Sequence, residues 1–222
     1  MSPPAREPAD HGAGQRRQGL LLIISSPSGA GKTSLSRRLV TDCPDLELSV
    51  SVTTRPPRPG EQSGREYRFV GGPAFAALVG AGEFIEHADV HEHRYGTPRS
   101  PVEAALNTGR DVLFDIDWQG AKTIAQAYPS DAVRVFILPP SMVDLQRRLK
   151  ARAQDSADVI TRRLGRAKAE IAQWGDYDYV IVNDDFERAY AELAQIYAAE
   201  RMRRARNPWL LPLVERLLAE PL

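Results

Sequence analysis

With Cys43 as its only cysteine, the chain cannot form an internal disulfide, which suits a reducing, cytoplasmic setting. Cys43 itself reads as a small residue packed at a helix end. Excess charge is missing as well, since 29 Lys and Arg stand against 29 Asp and Glu. No global field draws the chain to nucleic acid or to an anionic membrane, so partners must be recognised by local clusters. A face of interleaved basic and aromatic side chains, as nucleic-acid binders carry, is absent too. No apolar run approaches the ~20 residues that a membrane-spanning helix requires. There are only four histidines. His91 and His93 stand near carboxylates, but zinc draws on three or four convergent ligands, and the pair reads as solvated turn residues. What these exclusions leave is a globular domain, long enough at 222 residues to bury a substantial core.

Residues 1–18 are polar and rich in Pro, Gly and Ala without the apolar centre of a signal peptide; they read as a disordered leader, with Arg16 and Arg17 solvated. The most informative stretch follows. Leu20–Ile24 is a continuous apolar run, as expected of a strand buried on both faces of a parallel sheet. After it comes Ser26-Pro27-Ser28-Gly29-Ala30-Gly31-Lys32-Thr33-Ser34, and from Lys32 the positions Leu35, Leu39 and Val40 have helical spacing. Strand, glycine-rich loop and helix in that order form a phosphate cradle. Backbone N–H groups at the helix start are unpaired, the helix dipole favours an anion, and glycine lets the main chain come close. Lys32 supplies a mobile charge to the β- and γ-phosphates of a nucleotide, and the Thr33 hydroxyl supplies a ligand to Mg²⁺. The pattern departs from G-x-x-x-x-G-K-[ST] at its first position, where Ser26 replaces glycine.

Downstream, Leu46–Val52 alternates apolar and polar residues and predicts one half-exposed strand. It runs into Thr53-Thr54-Arg55-Pro56-Pro57-Arg58-Pro59-Gly60-Glu61, a loop stiffened by prolines that carries Arg55 and Arg58. Guanidinium forks match phosphate oxygens in pairs, so the loop predicts a second anion site. Tyr67–Val70 and Glu83–Val90 read as strands, Pro73–Val79 and Pro101–Leu106 as helices, and His91–Thr97 as a turn. Asp111–Ile116 is a second core strand. Asp115 and Asp117 lie at its carboxyl end, where open α/β sheets bind ligands, and alternation puts them on one face. Asp117 also suits the N-cap of a helix over Gln119–Tyr128. Ala132–Leu138 and Tyr179–Val182 complete the strands. Ser141 caps a helix running through Leu149, a basic helix spans about Val159–Trp174, and a long helix spans about Phe186–Arg204. Trp209–Leu218 reads as an amphipathic tail suited to packing on the core or on a second copy. Strands alternating with helices indicate an α/β fold with a parallel sheet covered by helices.

Two phosphate sites facing one Mg²⁺-binding loop suggest phosphoryl transfer from a nucleotide to a phosphorylated acceptor. The motifs SPSGAGKTS, SVTTRPPRPGE, GREYRF, EFIEHA, YGT, DIDWQGA and VNDD, in that order, make the chain from about Gly19 to Arg204 resemble the guanylate kinases. The resemblance implies a P-loop kinase fold over 19–206, with a small mixed α/β GMP-binding insert at about 50–108, a helical lid at about 149–164, and a separate tail at 207–222. It implies Mg²⁺-dependent conversion of ATP and GMP to ADP and GDP, with Ser26–Ser34 binding ATP. By the same resemblance Arg55, Arg58, Tyr67 and Tyr95 hold the GMP phosphate. Glu86 accepts from guanine N1–H and the 2-amino group, Ser51 and Thr97 address the acceptor edge of the base, and Asp115 and Asp117 complete that site. Arg148, Arg152 and Arg163 close over the phosphates, and Asn183 lies near the adenine. Ala153 stands where the family often has glycine. A carboxylate matches guanine's two adjacent donors, which adenine lacks, so AMP should be rejected. Two other readings stay open. A catalytically silent module of this family, binding protein partners, would tend to lose loop or acceptor residues. An enzyme acting on a ribose phosphate would have no use for Glu86, Ser51 and Thr97.

Overall fold

The computed structural model describes residues 16–58, 60–65, 67–90, 92–152 and 157–221. The leader up to residue 15, His91 and Ala153 lie outside the described residues, as does the side chain of Arg152. Strand β1 (Leu21–Ser25) is buried at every position. Its Leu22 and Ile24 enter one hydrophobic cluster and its Leu21 and Ile23 another, so the apolar run serves two cores at once. The strand lies in the middle of a five-stranded parallel sheet. Its companions are β2 (Leu46–Leu48), β7 (Asp111–Asp115), β8 (Ala132–Leu138) and β9 (Tyr179–Val182), in the order β2-β7-β1-β8-β9. On one face pack α1 (Lys32–Asp42), through Leu35 and Leu39, and α7 (Phe186–Met202), through Ala189, Leu193 and Tyr197. On the other pack α3 (Arg99–Asn107), through Val102 and Ala105, and α4 (Trp118–Ala127), through Ala121 and Ile124. The sheet is thus covered on both sides, as parallel sheets are.

A second, mixed sheet forms a separate ladder and packs on α4 through Ile85. It joins β3 (Val52–Thr53), β4 (Arg68–Phe69), β5 (Phe84–Val90) and β6 (His93–Pro98) in the order β4-β3-β6-β5. Helix α2 (Gly72–Gly80) seals it by packing Phe75 on Phe84, ring centroids 4.9 Å apart. Helices α5 (Met142–Arg152) and α6 (Ala157–Ile171) form a hairpin around Leu145, Leu149 and Ala167. Helix α8 (Leu210–Ala219) half-buries Leu210 and Leu213 and leaves Leu211, Val214, Leu217 and Leu218 exposed. Among the described residues no helix is long and apolar enough to cross a membrane.

Three expectations need correction. The alternating run Leu46–Val52 is not one strand: it pairs with β7 as far as Leu48, then leaves the core sheet and re-forms as β3 in the second. The stretch read as a turn at 91–97 is mostly β6, paired antiparallel with β5 from Val90↔His93 to Phe84↔Pro98. Arg17 is not solvated, because it donates to the Asp111 carboxylate at 2.8 Å. Asp111 is fully buried and also accepts from Leu20 N at 2.8 Å and from the Tyr197 hydroxyl at 2.7 Å. One carboxylate therefore ties Arg17, the sheet and α7 together. Burying a carboxylate in a core is costly unless its oxygens find such partners.

Candidate active site

The loop between β1 and α1 has the shape its glycines allow. Gly29 and Gly31 hold φ of +94° and +102°, a region open to glycine and strained for other residues. Both are also hemmed in. A Cβ on Gly29 would lie 3.1 Å from Leu149, and one on Gly31 would lie 2.2 Å from the Asn183 side-chain nitrogen. Asn183 is only 5% exposed and donates to Ala30 O at 2.7 Å. Arg148 donates to the same carbonyl at 3.3 Å and to Asn183 O at 2.8 Å. The loop is braced from behind by α5 and by the residue that follows β9. Lys32, the first residue of α1, donates through Nζ to Ile116 O at 3.1 Å and forms an ion pair with Asp115.

Asp115 reaches that position because β7 pairs with β1 in the register Ile24↔Asp115, which brings the two strand ends level. The strand stops there. Asp117 caps α4, accepting from Gly120 N at 2.9 Å, as its place ahead of that helix predicted.

Across from Lys32, Thr33 and Asp115, a cavity of about 790 Å³ is walled by Ser51, Arg55, Arg58, Tyr67 and Tyr95. Arg55 is 8% exposed. Its Nη2 donates to both Glu61 oxygens at 2.9 Å and its Nη1 to Pro56 O at 2.7 Å. Its guanidinium carbon stands 5.4 Å from the Tyr67 ring centre and 5.6 Å from that of Phe69. Arg58 N donates to Glu61 at 2.7 Å, and this bond, with Arg55 beside it, holds the Glu61 carboxyl below the usual range. The stiff loop thus presents two cations to the same cavity that Lys32 and Thr33 line at the start of α1.

Glu86 on β5 lies opposite Thr97 on β6, and the buried Thr97 hydroxyl donates to Glu86 Oε1 at 2.6 Å. Burial pushes the Glu86 carboxyl above its ordinary range, and the nearby Asp117 charge adds to this against the Thr97 hydrogen bond. Gly120 lies beside it: a Cβ there would meet the Glu86 carboxyl at 3.5 Å, an ordinary contact. Arg163 lies on α6. One neighbour of the loop went unread in the sequence. Glu170, also on α6, is half-buried and accepts from Ser28 N–H; burial raises its pKa against that bond and the charges of Lys32 and Arg166. The signal was a carboxylate on the helix stripe that carries Leu164, Ala167 and Ile171.

Thr33 and Asp115 offer hard oxygen donors at the cavity wall, which fits Mg²⁺ held by one or two protein oxygens together with substrate phosphates and water. Among the described residues no three His, Cys, Asp or Glu side chains converge as a metal cluster, and such a shared site needs none.

A glycine-rich loop at the carboxyl end of the central parallel strand, faced by a second cationic site, defines a P-loop phosphotransferase. A sequence model of the family "Guanylate kinase" matches residues 18–200. The chain is 55% identical over 203 residues to the guanylate kinase of Caulobacter vibrioides, covering 91% of this chain and 95% of that one. It is 53% identical over 212 residues to that of Nitrobacter hamburgensis, covering 94% and 97%. The crystal structure of guanylate kinase from Anaplasma phagocytophilum superposes with a TM-score of 0.78 at 36% identity, covering 94% of this chain and all of that one. The chain belongs to the guanylate kinase family and is an enzyme of the nucleoside monophosphate kinase class. A catalytically silent interaction module finds no support among these relatives.

Proposed function

We propose that this chain transfers the γ-phosphoryl group of ATP to the phosphate of GMP, with a division of labour that follows its two sheets. The observation that carries the proposal is that Lys32 and Thr33 line the same cavity as Arg55 and Arg58. The phosphate loop takes the ATP phosphates on its N–H groups, and Lys32 leaves Asp115 to meet their charge. Thr33, with Asp115, holds Mg²⁺, which when bound neutralises charge on the phosphates. Arg55 and Arg58, with Tyr67 and Tyr95, fix the GMP phosphate so that its oxygen faces the γ-phosphorus. That oxygen is itself the nucleophile, so the protein's work is alignment and charge stabilisation rather than proton removal. Arg148 and Arg163, with Arg152, cover the phosphates from the α5–α6 lid and exclude water. Glu86, held by Thr97, reads guanine N1–H and the 2-amino group, Ser51 addresses the acceptor edge of the base, and Asp117, whose charge bears on Glu86, helps fix it.

A coupled ADP-production assay over GMP, dGMP, AMP, CMP, UMP and ribose phosphates tests the reading, with turnover expected on GMP and dGMP. No GMP-dependent turnover would refute it. Glu86→Gln exchanges one acceptor for a donor and should narrow the preference for GMP over AMP by about tenfold or more. An unchanged preference would show that the base is read elsewhere.

A further inference from the structure

Glu61 has no place in the division of labour above, yet it is the residue on which the acceptor loop closes. Its two oxygens share the Arg55 Nη2 at 2.9 Å, and one of them also takes the Arg58 backbone N–H at 2.7 Å. The same carboxylate therefore sets the direction of the Arg55 fork and the point at which the Arg58 side chain leaves the main chain. Pro56 O takes the other corner of the fork, Nη1, at 2.7 Å. Tyr67 and Phe69 lie against the guanidinium. An arginine side chain loses much rotamer freedom when it is pinned, and here that loss is met before any ligand arrives.

Resting on the reading of Arg55 and Arg58 as the acceptor-phosphate site, we infer that Glu61 is a positioning residue for that phosphate. It holds the two arginines in the geometry the phosphate needs and does not itself touch the nucleotide. The rival role is that of a competitor, a carboxylate that occupies the cations until phosphate displaces it. The geometry favours positioning. Glu61 engages Arg55 through one nitrogen only, and its bond to Arg58 is to the backbone N–H, which leaves the exposed Arg58 guanidinium to the cavity. A bond to the main chain organises the loop whether or not an anion is present.

The two roles predict opposite signs. In Glu61→Gln the amide nitrogen faces either Arg58 N–H or Arg55 Nη2, donor against donor. Positioning predicts that KM for GMP rises by about tenfold, from one lost charge-assisted bond, while kcat and KM for ATP stay within about twofold. Guanosine, which lacks the phosphate, should inhibit wild type and variant equally. Glu61→Asp, which retains charge and both acceptors, should recover part of the GMP affinity. Tighter or unchanged GMP binding in Glu61→Gln overturns the inference, and so does equal weakening of GMP and guanosine, which marks a general loss of structure. Arg58→Gln separates the inference from its premise. If that variant binds GMP as wild type does, the loop is not the phosphate site and the premise itself fails.

Discussion

Replacing Gly31 by alanine tests whether the phosphate loop is held in shape from behind. Two costs arise from the structure. At φ +102° a side chain is strained, which costs about 1–3 kcal/mol. The new Cβ would also stand 2.2 Å from the Asn183 nitrogen, so that amide must move and give up its 2.7 Å bond to Ala30 O. Arg148 still donates to that carbonyl, which places the second cost near the low end for a buried unmet group, about 1 kcal/mol. The sum, about 2–4 kcal/mol, corresponds to a Tm lower by about 5–15 °C in a domain of this size. Gly82→Ala is the control. It has φ +69° with no heavy atom within 4 Å of the added Cβ, so only the strain applies. Thermal denaturation should rank Gly31→Ala well below Gly82→Ala, and KM for ATP should rise in the first alone. If the two variants melt together and Gly31→Ala binds ATP normally, Asn183 does not brace the loop and the reasoning is wrong.

Other outcomes follow from the same geometry. Lys32→Met removes the partner of Asp115, a carboxylate with 21% of its side chain still exposed to water, so the fold should survive with Tm nearly unchanged while turnover falls by about 10²-fold or more. Near-normal turnover would remove Lys32 from the phosphate-binding role. Because burial raises the Glu86 pKa, the carboxyl takes up its proton at a higher pH than an ordinary glutamate and then has one acceptor fewer for guanine. Guanosine, which has no phosphate to titrate, should therefore bind more weakly as pH falls through that raised value, and the dependence should vanish in Glu86→Gln. A midpoint in the ordinary carboxylate range would contradict this. For stability the sign reverses: the neutral carboxyl favours the folded state, a contribution present below the unfolded pKa and lost as pH rises through the folded one.

The parts legible in the sequence are those whose physics is local. Leu20–Ile24 announced a doubly buried strand because both its faces are apolar, and Asp117 announced a cap because a cap needs only the next few residues. The parts that escaped depend on distant partners. Alternation through Leu46–Val52 is the same whether a strand stays in one sheet or passes into another, since each sheet asks for the same period. His93 and Arg94 have the composition of a turn, yet β5 beside them supplies a ladder that pays no heed to polarity. Arg17 looked solvated because its carboxylate lies 94 residues away at Asp111. Glu61 showed itself only as one more charge in a Pro/Arg loop, although its partners are six and three residues off.

The splitting of the Leu46–Thr53 run has a mechanical consequence. The phosphate loop is anchored in the parallel sheet, Arg55 and Arg58 in the mixed one, and the two sheets are separate ladders. The chain passes between them at residues 49–51 and again where Pro98 leads into α3. A change in the gap between donor and acceptor would therefore leave every ladder bond intact but would have to be taken up by backbone torsions at these crossings and by the packing of Ile85 on α4.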